Sequence, residues 1–186
     1  MKKYTLEDME NFERDDYGRL ICPSGDYTEI SRFGGWRSFG AGCSFGAECS
    51  FGEECSFGEG CRFGAGCSFG AECSFGEECS FGEGCRFGEG CRFGEGCSFG
   101  AGCSCESGHV FKAIVSFEGA GRERRKTYCF LLEDDTIFVR CGCFSGTESE
   151  FIEKVHKTHA GTPHEDVYLS FFDAAKKALH VIAKDR

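Results

Sequence analysis

From residue 33 to residue 104 a phenylalanine falls every sixth residue, each followed by a glycine, and a cysteine stands two places before nearly every one. A spacing of two puts Cys and Phe on one side of an extended chain and the Ser or Arg between them on the other. The unit F-G-[AE]-[GE]-C-[SR] therefore predicts a short strand and a turn, repeated twelve times. The glycine after each Phe is free to take φ > 0 and so suits the corner. Repeated turns of one sense close a prism whose strands pair with the next coil about 4.8 Å away. Phe and Cys fill the inside, while Glu, Ala, Ser and Arg cover the outside. Residues 39–62 and 63–86 are identical, a duplication of four units, so the hexad is the building block. The first unit is irregular, with Arg37 where the others carry cysteine.

A Phe-Gly step with a small residue two places earlier resembles the left-handed β-helix of hexapeptide-repeat proteins, which carry an aliphatic residue in place of this Phe. The resemblance covers residues 33–104 and implies three units per coil, hence about four coils. It also implies the left hand, although the general preference for right-handed crossovers points the other way. Stacking three hexads apart sets the columns. Cys43, Cys61, Cys79 and Cys97 form an internal thiol ladder, read as small buried hydrophobes. Glu59, Glu77 and Glu95 form an outer column. Ser44–Arg62–Ser80 and Ser68–Arg86–Ser104 are outer columns in which arginine interrupts the hydroxyl row an ice-binding face would need.

The flanks follow other patterns. Residues 1–32 predict a helix near 5–12, a strand near 19–22 and a turn at Pro23, Ser24, Gly25 and Asp26. Together they cap the first coil, since solenoid ends need covering. Residues 105–186 predict a compact α+β module with antiparallel strands over 109–117, 127–132 and 136–144. Thr147 with Glu150 reads as a capping box opening a helix to about His159. Thr162, Pro163 and Glu165 read as a second, with Pro at the first helical position. Its helix runs to about Ala183, with Val167, Phe171, Ala174, Ala178 and Val181 as the apolar face. The fold class is thus mainly β, a short left-handed parallel β-helix with an N-terminal cap and a C-terminal module of three strands and two helices.

A net charge of −10 argues against direct nucleic-acid binding through phosphate neutralisation. The N-terminus has no apolar leader region, and no apolar run reaches the roughly 20 residues that cross a bilayer. A soluble cytoplasmic protein is expected. Sixteen cysteines also fit a secreted disulfide scaffold, but eleven of them recur at one repeat position, which suits packing. Residues 33–104 contain no His and no Asp. A general base or a metal set would therefore have to come from elsewhere, which sets acyl transfer by the β-helix aside.

Varied chemistry is confined to the C-terminal module. Arg122, Arg124, Arg125 and Lys126 are the densest basic cluster in an acidic chain and could grip phosphate, since guanidinium forks match its oxygens. His156 and His159 share a helix face, with His164 close by in the chain. Cys141 and Cys143 alternate and point one way from a strand. These letters match no strong zinc motif, so neither metal nor cofactor is expected and no catalytic residue is assigned. The acidic outer columns also allow a rod that mimics DNA towards a protein that binds it.

The run CPSGDYTEI, the FGxxC[SR] repeats, and VRCGCFSGTESEF with THAGTPHEDVYL together resemble hexapeptide-repeat proteins of phages and prophages. That resemblance implies a role against host defence. The β-helix resemblance implies a homotrimer with ligands held between subunits. The expected function is non-enzymatic sequestration of a small anionic, nucleotide-type ligand by Arg122, Arg124, Arg125, Lys126, His156, His159 and His164. Two alternatives stand beside it. One is a protein-binding rod that blocks a host protein, and the other is an enzyme whose site lies among the C-terminal histidines.

Overall fold

A computed structural model of the chain describes residues 1–94, 96–105, 109–120, 125–142 and 144–184. Two compact units result, residues 1–110 and residues 111–186.

The first unit is a parallel β-solenoid in which strands of two or three residues pair with strands 18 positions on. Each strand is a Ser-Phe or Arg-Phe step whose Phe is buried. Three hexads make one coil, and the three faces stack five, four and five strands. Coils number about five, one more than the repeat supplies. The N-terminal segment makes the extra one. Leu20–Cys22 pairs in parallel with Arg37–Phe39, and Asp26 bridges in parallel to both Lys3 and Ser44. Helix α1 (Leu6–Glu10), with Thr5 and Asp8 forming its capping box, buries Met9.

Aromatic rings fill the centre in columns. Phe45, Phe63 and Phe81 stack with centroids 4.9 Å apart and planes within 4°. The column continues into the irregular coil, where Tyr27 lies on Phe45 at 5.5 Å and Tyr4 on Tyr27 at 5.1 Å. Neighbouring columns meet edge to face, as in Phe57 and Phe63 at 5.0 Å and 89°. Both geometries suit the ring quadrupole, so Phe can fill the interior coil after coil.

The glycine after each Phe does not turn the corner by a positive φ, contrary to expectation. That conformation belongs to the fourth position of every hexad, whether it holds Gly, Glu or Trp, from Trp36 at φ 58° to Gly102 at φ 71°. The second-position glycine is needed because coils nearly touch there. A Cβ on Gly64 would lie 2.5 Å from the Ala47 nitrogen, and one on Gly82 2.5 Å from the Ala65 nitrogen.

Thiols join one coil to the next. Backbone amides at positions two, four and six donate to carbonyls at positions one, three and five of a neighbouring coil, as in Gly58 to Phe39, Gly42 to Glu59 and Arg62 to Cys43. The second-position carbonyl is left over, and the cysteine of the next coil donates its thiol to it. Cys61 Sγ reaches the Gly40 oxygen at 3.4 Å, Cys67 that of Gly46 at 3.4 Å, and Cys85 that of Gly64 at 3.5 Å. The described cysteines are free thiols. Hydrogen bonding to the Cys73 thiol and burial push Cys55 above its ordinary value, and burial pushes Cys22 up to about 12.

The second unit is an antiparallel sheet in the order Phe111–Ala120, Arg125–Leu132, Ile137–Cys141, Phe144–Thr147. Four strands form where three were expected. The predicted strand 136–144 breaks because Gly142 takes φ 58°, and Phe144 returns opposite Cys141. Helices α2 (Glu148–His159) and α3 (Pro163–Lys184) pack on this sheet with Ala113, Leu131, Val139, Phe151 and Val155 in the core. Helix α3 buries Tyr168, Phe172, Ala175 and Leu179, one residue round from the expected face, so Phe171 and Val181 are exposed.

Candidate functional site

The predicted anion grip is only partly described. Arg122 and Arg124 lie outside the described residues. Arg125 opens its strand with its Cα opposite Ala120. Lys126 pairs with Glu118 at 3.6 Å and lies 5.7 Å from the Tyr128 ring. The Arg140 guanidinium lies over the same ring at 5.1 Å.

The three histidines gather at the α2–α3 elbow. His156 Nδ1 and Glu165 Oε1 are 2.6 Å apart, and Glu165 Oε2 accepts the Gly161 amide at 2.8 Å. His159 stacks on Tyr168 at 5.2 Å and meets His164 edge-on at 5.9 Å. The hydrogen bond from His156 and the Gly161 amide hold the Glu165 carboxyl below its usual range. The expected second capping box is therefore not formed. Glu165 reaches past Thr162 to Gly161, while the Thr162 hydroxyl donates to the His159 carbonyl at 2.7 Å and closes α2. The histidines and Lys126 thus have separate partners. This arrangement clamps a helical hairpin.

Cys141 accepts the Thr127 hydroxyl at 3.1 Å, its strand ends there, and Cys143 lies outside the described residues. Among the described residues no group of three or more His, Cys, Asp or Glu could hold a metal ion.

The solenoid surface is more ordered than the sequence suggested. Three edges separate its faces. The first edge carries Glu59, Glu77 and Glu78, and the third carries Glu53, Glu54, Glu72 and Glu89, stacked by the amide bonds Gly60 to Glu77 and Glu72 to Glu89. The second edge carries only Glu48 and Glu83 among alanines and glycines. Glu95 lies outside the described residues. Between the two acidic edges runs one face whose outward residues are Ile21, Ser38, Ser56, Ser74 and Arg92 in register. Arg92 is already paired with Glu72 at 2.9 Å. Sequence reasoning found the single column Glu59–Glu77–Glu95. It missed the paired ridges because it did not set the third and fourth positions of each hexad beside one another around the prism.

Comparison with known families finds a match to the RNA-binding, Nab2-type zinc finger over residues 43–58, 61–76, 72–88, 78–94 and 91–104. All of these lie within the hexad run. The residues do not fit the zinc: the run holds no histidine, and its thiols face the solenoid interior and donate to glycine carbonyls rather than converging. The likeness is one of cysteine periodicity. No curated protein and no solved structure matches the chain. No helix among the described residues is long and apolar enough to cross a membrane.

Proposed function

We propose that the chain is a non-enzymatic binding protein working through the outside of its solenoid, as a rigid rod that engages another protein. The carrying observation is the division of chemistry between inside and outside. Phenyl rings and free thiols occupy the interior. Carboxylates, hydroxyls and guanidinia stand outside in a register set by backbone pairing. Such a lattice needs no backbone ordering on binding.

The hexad pattern supports a left-handed coil of the hexapeptide-repeat type and, with the flanking motifs, a phage or prophage origin and a role against host defence. Free thiols suit the reducing cytoplasm. A second reading, sequestration of a small anionic ligand by a homotrimer, is favoured by one observation. Lys126 and Arg140 share the Tyr128 ring, and Lys126 follows Arg122, Arg124 and Arg125 in the sequence.

Native mass spectrometry of the chain, taken directly from its producing cell under reducing conditions, separates the readings. The rod predicts the mass of the chain or its oligomer, with any increment being that of a whole protein. A small-molecule increment that leaves intact on denaturation would overturn the rod in favour of sequestration. Turnover of a co-purifying small molecule would overturn both.

A further inference from the structure

Two exposed apolar side chains stand at one end of the serine face. Ile21 is 43 % exposed and Trp36 45 % exposed. Ile21 is opposite Ser38 on the face, and Trp36 heads the third edge beside it, its carbonyl accepting the Leu20 amide at 3.0 Å. The rod buries every other ring of its repeat, so an open indole is apolar area left in water at a cost. Trp also leads among residues that anchor protein interfaces, where a charged rim surrounds an aromatic centre.

The rim here has one sign. Glutamate ridges run along both sides of the face, and its one described arginine is already paired. The opposite edge carries only Glu48 and Glu83, and Arg32, Arg62 and Arg86 on the two faces beside it offset that charge. The prism is therefore electrically polarised across its width. A nucleic acid would be repelled by the serine face, whereas a cationic protein segment would be steered to it.

We propose that the serine face, with Trp36 and Ile21 at its N-terminal end and an acidic ridge on either side, is the docking surface for a basic protein segment. That segment is rich in lysine or arginine and places an apolar side chain over Trp36. The inference rests on the reading of the solenoid exterior as the recognition surface, and adds which face binds and what chemistry it takes.

The repeat supplies its own benign substitutions. Trp36→Gly restores the residue used at the fourth position of most units, and Ile21→Ser extends the serine column. Glu59→Ala with Glu77→Ala copies Ala41 of the same edge. Glu48→Gly with Glu83→Ala removes the same charge from the opposite edge. The probe is a fluorescein-labelled peptide of alternating lysine and alanine ending in leucine, followed by anisotropy on the full chain at low salt. Circular dichroism checks each fold. Trp36→Gly and the Glu59/Glu77 pair should each weaken binding about tenfold, Ile21→Ser should weaken it measurably, and the Glu48/Glu83 pair should change it less than about twofold. Equal losses from the two glutamate pairs would mean a response to net charge alone and would overturn the face. Undiminished binding by Trp36→Gly would overturn the anchor. A parent chain that ignores the peptide would overturn the partner chemistry, and the rod reading would still be decided by the native mass.

Discussion

The Cys61 thiol donates to the Gly40 carbonyl of the preceding coil at 3.4 Å, and the same bond recurs down each column. The residue is thus a small apolar filler and a donor at once. Cys73 bonds the Gly52 carbonyl in the same way at 3.4 Å, and replacing it by Val keeps an apolar filler of slightly larger size while deleting that carbonyl's thiol donor. Cys73→Val should cost about 1–3 kcal/mol, read from the urea midpoint at unchanged slope. A variant as stable as the parent would return the thiol to the role of filler.

The two glycines of a hexad should respond differently to a methyl group. On Gly64 it would meet Ala47 and Gly46 backbone at 2.5–2.7 Å, so Gly64→Ala must prise two coils apart. On Gly60, at φ 66°, nothing lies within 4 Å. Gly60→Ala should cost only the left-handed conformation, roughly 1–2 kcal/mol, and Gly64→Ala clearly more. By the same reasoning Glu48→Gly, at φ 57°, should stabilise the chain by a fraction of that. Chemical denaturation of the three variants checks the order, and equal costs for Gly60 and Gly64 would contradict it.

The solenoid was legible because a period of six with Cys and Phe two apart leaves one arrangement in which every ring is buried. Its corner was not, because composition shows that glycine is needed without saying whether for φ or for room. The irregular first coil was also hidden. Tyr27 and Asp26 hold the places that Phe and Ser hold elsewhere, and Tyr27 falls six residues before Phe33, but Thr28 and Gly25 replace the glycine and cysteine that mark the repeat. In the second unit the break at Gly142 lay inside a run that alternates well enough to pass for one strand.

Helix α3 gave two apolar stripes one residue apart, and the sequence favoured the wrong one. Phe172 is 1 % exposed and touches Phe151 at 5.1 Å, whereas Phe171 is 41 % exposed. Tyr168, Phe172 and Leu179 bury more area together than Val167, Ala174 and Ala178, so the larger stripe wins the sheet. Phe172→Ala should therefore cost about 3–5 kcal/mol and Phe171→Ala under about 1 kcal/mol. Thermal melts of the pair decide it, and the reverse order would restore the sequence-based face.

The elbow between α2 and α3 should make the C-terminal unit sensitive to acid. Glu165 has a lowered pKa in the folded chain, because His156 and the Gly161 amide both hydrogen-bond its carboxylate. A depressed carboxyl contributes stability that is complete above its unfolded value, near 4.5, and is lost as pH falls through the folded value. Asp8 and Glu150 act in the same sense, each lowered by its capping box. Melting followed from about pH 7 to pH 3 should show an acid limb that Glu165→Gln makes shallower, with a lower plateau at neutral pH. His156→Gln should lower the same plateau, since it removes the first of the two donors. An acid limb identical in slope to the parent's in Glu165→Gln would place the sensitivity in the other carboxylates and leave the elbow a passive turn.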